Sequence, residues 1–461
     1  MNRAAKHDLT EGPIFAKLFS LATPLMGGML MQMLYNLTDM FWLGRLGSEA
    51  VAAAGTAGLL MWMSFAFAAF GRMGGEIGVS QNLGRGDEEA AKKFARTALT
   101  LGLGLGIFYG LVLIFANVPL IRFFDIVDPV VVNYAENYIR ITGFAMPLFF
   151  VGGAGMGIYS GSGNTKTPFY IQGFGIVLNV ILSPIFIFIL DFGVSGAAVA
   201  TVIAQGIAVL IFIWHIKFHK NRPFKELKLF GISDKSTLRQ IFKWVLPIAI
   251  ESGLFTFFTM LVSRFVNPFG TGAMATQRIG SQIESLAWLI SAGFASAISA
   301  FTGQNFGAGK WKRIHEGYKI SAILMGIWGV IATGVLFFAG GHLFAIFLPD
   351  EPDVVAMGAN YMRILALCQI ISCLEGITAG TFRGMGKTVP PSVVSVSSNL
   401  IRTIAAFFLA RSAMGLDGIW WALTLGAILR GGWIFIWYRI HSRKMPKEDV
   451  VTHNIATPAE S

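Results

Sequence analysis

Apolar residues are concentrated in twelve long segments that are separated by shorter polar connections. The segments lie near residues 14–43, 52–80, 94–120, 138–160, 168–190, 194–217, 241–266, 275–302, 318–347, 357–382, 391–411 and 416–440. A helix needs about 20 residues to cross a bilayer core about 30 Å thick, and every segment is at least that long. Because backbone polar groups in lipid must be paired within their own segment, these runs are expected to be helical. The pattern predicts an all-α integral membrane protein with twelve transmembrane helices.

The second half of the chain repeats the first half at a constant offset of 223 residues, so that Gln-Asn-Leu-Gly at 81–84 recurs as Gln-Asn-Phe-Gly at 304–307. The other matched positions include Pro24 with Pro247, Gly47 with Gly270, Pro129 with Pro352, Tyr138 with Tyr361, Gly163 with Gly386 and Pro168 with Pro391. Six spans repeated in the same orientation predict two pseudo-symmetric six-helix lobes, an arrangement common in transporters. We expect an N-terminal lobe over 1–217, a cytoplasmic linker over 218–240, a C-terminal lobe over 241–442 and a cytoplasmic tail over 443–461.

Composition and charge agree with this membrane topology, since hydrophobic residues make up 54% of the chain and charged residues only 13%. The connections after spans two, six and eight and the tail are basic, through residues such as Arg85, Lys92, Lys220, Arg222, Lys310, Lys312, Arg443 and Lys447. The opposite connections are acidic, through Asp125, Asp128, Asp191, Asp350, Glu351 and Asp353. The positive-inside rule then predicts that both termini are cytoplasmic. We expect the chain to lie in the cell (plasma) membrane. The net charge of +11 is therefore a topology signal, and we expect no nucleic-acid partner.

Asp39 is the sharpest candidate for a functional group within the predicted spans, because ionisable groups in a membrane are costly. Polar residues at helical spacing form one face in each of three N-lobe spans. These faces comprise Gln32, Tyr35, Asn36 and Asp39 in the first span, Gln172, Asn179 and Ser183 in the fifth, and Thr201 and Gln205 in the sixth. They predict a hydrated internal cavity.

Two kinds of chemistry suit such a carboxylate, beside a purely structural hydrogen bond near a helix end. Burial favours the neutral acid, so Asp39 can carry a proton. A hard cation such as Na⁺ is the alternative, with oxygens of Asp39, Asn179 and Thr201 as ligands. We expect no other metal and no cofactor.

The second lobe differs in its polar residues, since the repeat places Val262 at the position of Asp39 and Arg402 at that of Asn179. The coupling chemistry is therefore expected in the first lobe only. Glu251 and Glu284 have no basic partner one helical turn away and are candidates for contact with a cationic substrate. The alternative is structural pairing with Arg402 or with another arginine of this lobe, Arg430.

The chain resembles the multidrug and toxic compound extrusion (MATE) family over nearly its whole length. The resemblance is carried by Pro24, Tyr35 and Asp39 in the first span, by 81–84 after the second, by 161–168 before the fifth, by 196–201 in the sixth and by 303–309 in the second half. It implies two six-helix lobes around a central cavity, and export of cationic or amphiphilic drugs and toxins against an inward H⁺ or Na⁺ gradient by alternating access of the lobes.

An aspartate in the N-lobe is typical of the DinF-like branch of that family. The resemblance then implies that Asp39 is the coupling carboxylate and that Tyr35, Asn179 and Thr201 support it. This chain departs from the branch pattern Asn-x-x-x-Asp-Pro in the fifth span, because Ser183 replaces the second acid before Pro184. The departure favours proton exchange at a single carboxyl group over a sodium site with two carboxylates.

Alternative functions remain open from the sequence. A flippase for a lipid-linked saccharide precursor would need a cationic cavity, which the N-lobe faces do not provide but Arg402 and Arg430 could. A narrow metabolite exporter is a further alternative. An enzyme is not expected, because no triad, paired histidine or phosphate loop is found. A two-lobed carrier can work as a monomer, and we expect that state, with membrane lipid and a small organic substrate as partners.

Overall fold

The computed structural model of the protein describes residues 8–124, 126, 128–220, 222–231, 233–347, 351–446 and 448–449. The regular elements in these ranges are all helical. In chain order they are α1 (Ile14–Gly44), α2 (Ser48–Gly84), α3 (Glu88–Phe115), α4 (Asn117–Arg122), α5 (Pro129–Gly143), α6 (Met146–Gly161), α7 (Lys166–Pro184), α8 (Gly193–Phe218), α9 (Lys235–Val266), α10 (Thr271–Gly307), α11 (Trp311–Phe347), α12 (Pro352–Ala366), α13 (Gln369–Gly384), α14 (Val389–Leu409) and α15 (Gly415–Arg443). A π-helical turn over Ile185–Ile189 follows α7.

The described helices give ten candidate membrane spans, or up to twelve when each of two bent helix pairs is counted as one span. Ten spans are formed by long continuous helical segments that are apolar enough to cross a bilayer. The pairs α5 with α6 and α12 with α13 meet the same test only when each pair is taken as one broken span, which brings the total to twelve. The predicted all-α membrane fold is confirmed.

The fourth and tenth spans are broken, so the prediction of single helices over 138–160 and 357–382 was wrong. The axis bends by 51° between α5 and α6 and by 49° between α12 and α13. Pro147 lies at the start of α6. Since proline has no N–H to continue a helix, but fits the first turn of a new one, it explains the first break.

The second break, at 367–368, contains no proline and is stabilised by side chains instead. A helix break in a membrane frees backbone carbonyls that need other donors. Three donors supply them: Thr424 to the carbonyl of Ile364 (3.0 Å), Gln369 to that of Leu365 (3.2 Å) and Thr333 to that of Ala366 (3.0 Å). The break is therefore a fully hydrogen-bonded feature of the fold at these carbonyls.

The repeat of the sequence is a repeat of the structure. The bounds of α2 and α10, of α5 and α12, and of α6 and α13 are each 223 residues apart at both ends. The matching turns use the same backbone conformation, with φ of 82° at Gly163 and 74° at Gly386. Glycine tolerates this left-handed conformation because it has no Cβ. The glycine shared by the two turns therefore explains their similar backbone conformation.

The described chain divides into two compact units. One contains Thr23–Ala249, and hence α2 to α8; the other contains Thr10–Ala22 and the chain from Ile250 onward, and hence α10 to α15. Helices α1 and α9 each contribute to both units, with the division next to Pro24 and Pro247. The lobe and linker boundaries given above stay a prediction.

Glycines permit close helix packing at matching places in both units. In the first unit α6 presents Gly157 and Gly161 to α2, and in the second α13 presents Gly380 and Gly384 to α10. A Cβ at these positions would meet the backbone carbonyl oxygens of Arg72, Glu76, Ala295 and Ser299, respectively. Small residues four apart let two membrane helices approach backbone to backbone. The same packing device therefore fixes the centre of each unit.

Some of the sequence predictions concern residues that the structure does not describe. Asp125, Asp350 and Lys447, used above to orient the spans, lie outside the described residues, as do 450–461 of the predicted tail. The cytoplasmic location of both termini stays a prediction.

Candidate functional site

An open pocket lies within the first unit, between α1, α7 and α8. Its volume is about 210 Å³, which includes space continuous with the exterior. The lining residues are Gln32, Tyr35, Gly175, Ile176, Asn179, Thr201, Ala204 and Gln205. Five of these are polar residues that the sequence analysis placed in a cavity. The three predicted polar faces therefore meet at one pocket.

Thr201 is the centre of the hydrogen bonds in this pocket. Its hydroxyl donates to the carbonyl of Ala197 at 3.0 Å, which uses the only proton that it carries. Asn179 Nδ2 donates to Oγ1 of Thr201 at 3.1 Å, and the hydroxyl of Tyr35 also lies 3.1 Å from this Oγ1 atom. Tyr35 must then be the donor to Thr201, since the threonine proton is already engaged. Both lone pairs of Thr201 are occupied by neighbours from two other helices.

Asp39 lies one helical turn beyond Tyr35 on α1, next to Ser183 of α7. Its Oδ1 atom is buried and has no hydrogen-bond partner among the described residues. Ser183 lies close enough to this carboxyl group to interact with it. The Ser183 hydroxyl donates its proton to Oδ1 of Asn179 at 3.1 Å, and a donation to Asp39 would break that bond. While the bond to Asn179 is kept, the buried Oδ1 atom of Asp39 receives no proton from Ser183, which favours the neutral form of the carboxyl group.

The helix that carries Asn179 and Ser183 changes its winding directly after them. Pro184 ends α7, and the next five residues form the π-helical turn 185–189. Proline cannot donate the helix hydrogen bond, and π-helical turns are frequent at functional sites. The Ser-Pro dipeptide therefore places Ser183 at a local irregularity beside Asp39.

Tyr138 is a residue of this site that the sequence analysis did not select. It is buried on α5 and lies close enough to Asp39 and Tyr35 to interact with both electrostatically. Its partner in the repeat, Tyr361 of α12, stands in the same relation to Glu284 of the second unit. The repeated Asn-Tyr motif was the one available signal for it.

Asp39 and Ser183 do not line the pocket, and two further predicted cavity residues, Asn36 and Gln172, also lie away from its wall. Asn36 is exposed and accepts a hydrogen bond from Gln32 at 3.4 Å. Gln172 directs its amide to the sulfur of Met156 at 2.7 Å. Both lie near the polar faces from which they were predicted, but neither lines the pocket.

The two predicted acids of the second unit have side-chain partners there. Glu251 accepts a hydrogen bond from Ser392 at 2.8 Å. Glu284 accepts one from Gln369 at 3.0 Å. Ser392 belongs to a buried polar stripe of α14 that the sequence analysis did not consider, which also holds Ser395, Ser398, Asn399 and Thr403. The second unit is thus more polar inside than the sequence analysis expected.

Comparisons with known proteins cover nearly the whole chain. The family described as MatE matches residues 24–185 and 247–408, two segments in the register of the repeat. The probable multidrug resistance protein NorM of Thermotoga maritima is 25% identical over 435 residues, which is 93% of this chain and 92% of that protein. The probable multidrug resistance protein YpnP of Bacillus subtilis is 24% identical over 94% of this chain and 96% of its own.

A solved structure shares the fold. The crystal structure of a MATE protein in complex with MaD3S has a TM-score of 0.89 at 22% sequence identity, with 95% of this chain and 98% of that chain covered. Since the family match includes both halves of the repeat and more than half of the residues, the assignment does not depend on one motif. The chain belongs to the MATE family of transporters.

Proposed function

We propose that this chain is a secondary active multidrug exporter that exchanges cationic or amphiphilic organic compounds for protons at Asp39. The observation that carries the proposal is the buried Oδ1 atom of Asp39, which has no hydrogen-bond partner in the described chain, beside a Ser183 hydroxyl that donates to Asn179. Such a site favours the protonated, neutral carboxyl group, because burying a carboxylate without a hydrogen-bond donor costs free energy. Alternating access of the two lobes would carry that change across the cell membrane, in a monomer whose termini are cytoplasmic.

Protons suit this site better than sodium ions do. A Na⁺ ion at Asp39, Asn179 and Thr201 would need free oxygen lone pairs. Oδ1 of Asn179 already accepts from Ser183, and the oxygen of Thr201 already accepts from two donors. Sodium binding would break these hydrogen bonds, whereas proton binding to Asp39 leaves them in place. The absence of a second acid at position 183 supports the same choice.

Transport in liposomes tests this proposal. Purified protein in liposomes with an acidic interior is expected to drive accumulation of ethidium, and nigericin should abolish the accumulation. A Na⁺ gradient at equal pH should drive none. Accumulation under the Na⁺ gradient alone would make the chain a sodium-coupled exporter. No accumulation above that of protein-free liposomes under either gradient would refute export of organic cations.

Thr201→Val should slow proton-driven transport while leaving the fold intact. The substitution keeps the size of the side chain but removes the oxygen that accepts from Tyr35 and Asn179. Each donor left without a partner costs about 1–3 kcal/mol, so we expect transport to fall about tenfold or more. Thr201→Ser keeps the hydroxyl and should stay close to wild type. Equal rates for Thr201→Val and wild type would show that this oxygen does not support the coupling site.

A further inference from the structure

A second polar cluster lies inside the second unit, and the proposed coupling site does not use it. It joins Glu284 and Trp288 of α10, Gln369 of α13, Glu375 of α13, Arg402 of α14 and Arg430 of α15. Gln369 donates to Glu284, and Arg430 forms an ion pair with Glu375 at 3.2 Å. One acid and one base of the cluster are therefore paired with each other.

Arg402 is the member of the cluster that lacks a close acidic partner. No carboxylate of the described chain lies within ion-pair distance of its guanidinium group. Its Nε atom is buried and has no hydrogen-bond partner in that part of the chain. Glu284 interacts with it electrostatically from a greater distance and is engaged by Gln369. Within the described chain, the guanidinium group of Arg402 therefore has no carboxylate in the geometry of an ion pair.

The surroundings hold the Arg402 side chain in place. Its stem packs over Gly426 of α15, where a Cβ would come within 2.5 Å of the Arg402 Cβ. Its guanidinium lies 5.6 Å from the ring of Phe255 on α9. An aromatic face and a glycine groove orient the planar fork, which matches the two oxygens of a carboxylate. Arg402 also occupies the repeat position of Asn179, a wall residue of the pocket in the first unit.

We propose that Arg402 is a subsite for the carboxylate of amphoteric substrates, whose cationic part lies toward Glu284. The inference rests on the proposed export function and extends its substrates from cations to compounds that carry both charges. The cluster contains two arginines and two glutamates, so its formal charge is zero. A neutral cluster suits a zwitterion, whereas a multiply charged pyrophosphate would leave excess negative charge in a poorly solvated place. A carboxylate in the fork of Arg402 would take up the orphaned donors.

A matched pair of dyes tests this subsite. Rhodamine 110 carries a free carboxylate beside its cationic ring system, and rhodamine 123 is its methyl ester. Binding is measured by fluorescence anisotropy on full-length protein in detergent, without a gradient and without anionic lipid. Arg402→Gln should weaken the binding of rhodamine 110 about tenfold or more, the loss of one charge-assisted contact, and change that of rhodamine 123 less than about twofold.

The controls separate this inference from the proposed function and from misfolding. Arg411→Gln removes an exposed arginine just beyond the end of the same helix and should alter neither dye. Arg402→Lys keeps the charge but loses the fork, and should weaken rhodamine 110 to an intermediate degree. Retained binding of rhodamine 123 shows that each variant is folded.

Three outcomes would overturn the assignment. Equal affinity of wild type and Arg402→Gln for rhodamine 110 would remove Arg402 from substrate recognition while leaving the export function standing. Displacement of rhodamine 110 by phosphatidylglycerol in wild type but not in Arg402→Gln would place a lipid phosphate at this arginine instead. Failure of both dyes to bind wild type would overturn the proposed function together with the subsite.

Discussion

Asp39→Asn should abolish accumulation of ethidium driven by a pH gradient, down to the level of protein-free liposomes. Asparagine has the shape of the protonated acid and carries no charge, so the neutral arrangement of the site is kept. Asparagine cannot release a proton, so the site would remain in the state that corresponds to protonated Asp39. The variant should therefore still bind dye and exchange dye for dye across the membrane with no gradient imposed.

The combination of lost coupling and retained exchange is what identifies a coupling residue. Asp87→Asn is the matched control, because Asp87 caps α3 by accepting from the Ala90 N–H at 2.8 Å and asparagine caps a helix equally well. This variant should transport as wild type does. Proton-driven accumulation by Asp39→Asn at the wild-type rate would exclude Asp39 as the coupling group and direct attention to Glu284. Loss of exchange as well as coupling would instead give Asp39 a role in holding substrate.

The fold could be predicted from the sequence because two strong signals agree. Segment length predicted an all-helical membrane protein, and the constant offset of 223 residues predicted the two repeated halves. The break at 367–368 could not be predicted, because it has no proline and depends on threonines from other helices, Thr333 and Thr424. The spacing of polar residues in one sequence indicates which face of a helix is polar. It does not indicate which neighbouring helix supplies a hydrogen-bond donor to that face.

The same limit explains which residues of the candidate site were found. Tyr35, Asn179 and Thr201 were found because each is a polar residue at helical spacing in a long apolar segment, where such residues are costly. Tyr138 was missed because tyrosine is common in apolar cores and its approach to Asp39 depends on the packing of α5 against other helices. Gln172 shares a predicted face with Asn179, but two helical turns separate them and its amide meets Met156 instead. Spacing along one helix therefore predicted candidates, and packing between helices selected among them.

Gly157→Ala should destabilise the first unit more than any polar substitution proposed above. The added Cβ would lie closer to the backbone carbonyl of Arg72 than real Cβ atoms approach any atom. Backbone cannot rotate away as a side chain can, so α6 and α2 would have to separate along their contact. Overpacking of this kind typically costs about 1–3 kcal/mol, and we expect the upper end of that range or more. For a unit of this size that corresponds to a decrease of roughly 5–10 °C in the thermal unfolding midpoint of the detergent-solubilised protein.

Gly153→Ala is the control for this effect, since Gly153 lies one turn earlier on α6 and a Cβ there would have no atom within 4 Å. Alanine is also the better helix former by about 1 kcal/mol, so this variant should unfold at or above the wild-type temperature. The repeat supplies an independent test, because Gly380 meets the carbonyl of Ala295 in the second unit as Gly157 meets that of Arg72 in the first. Gly380→Ala should therefore lower the midpoint by a similar amount. Gly157→Ala could unfold at the wild-type temperature while Gly380→Ala unfolds at a lower one. Close backbone packing would then be required in the second unit only, and the two units would differ in how their own helices are packed.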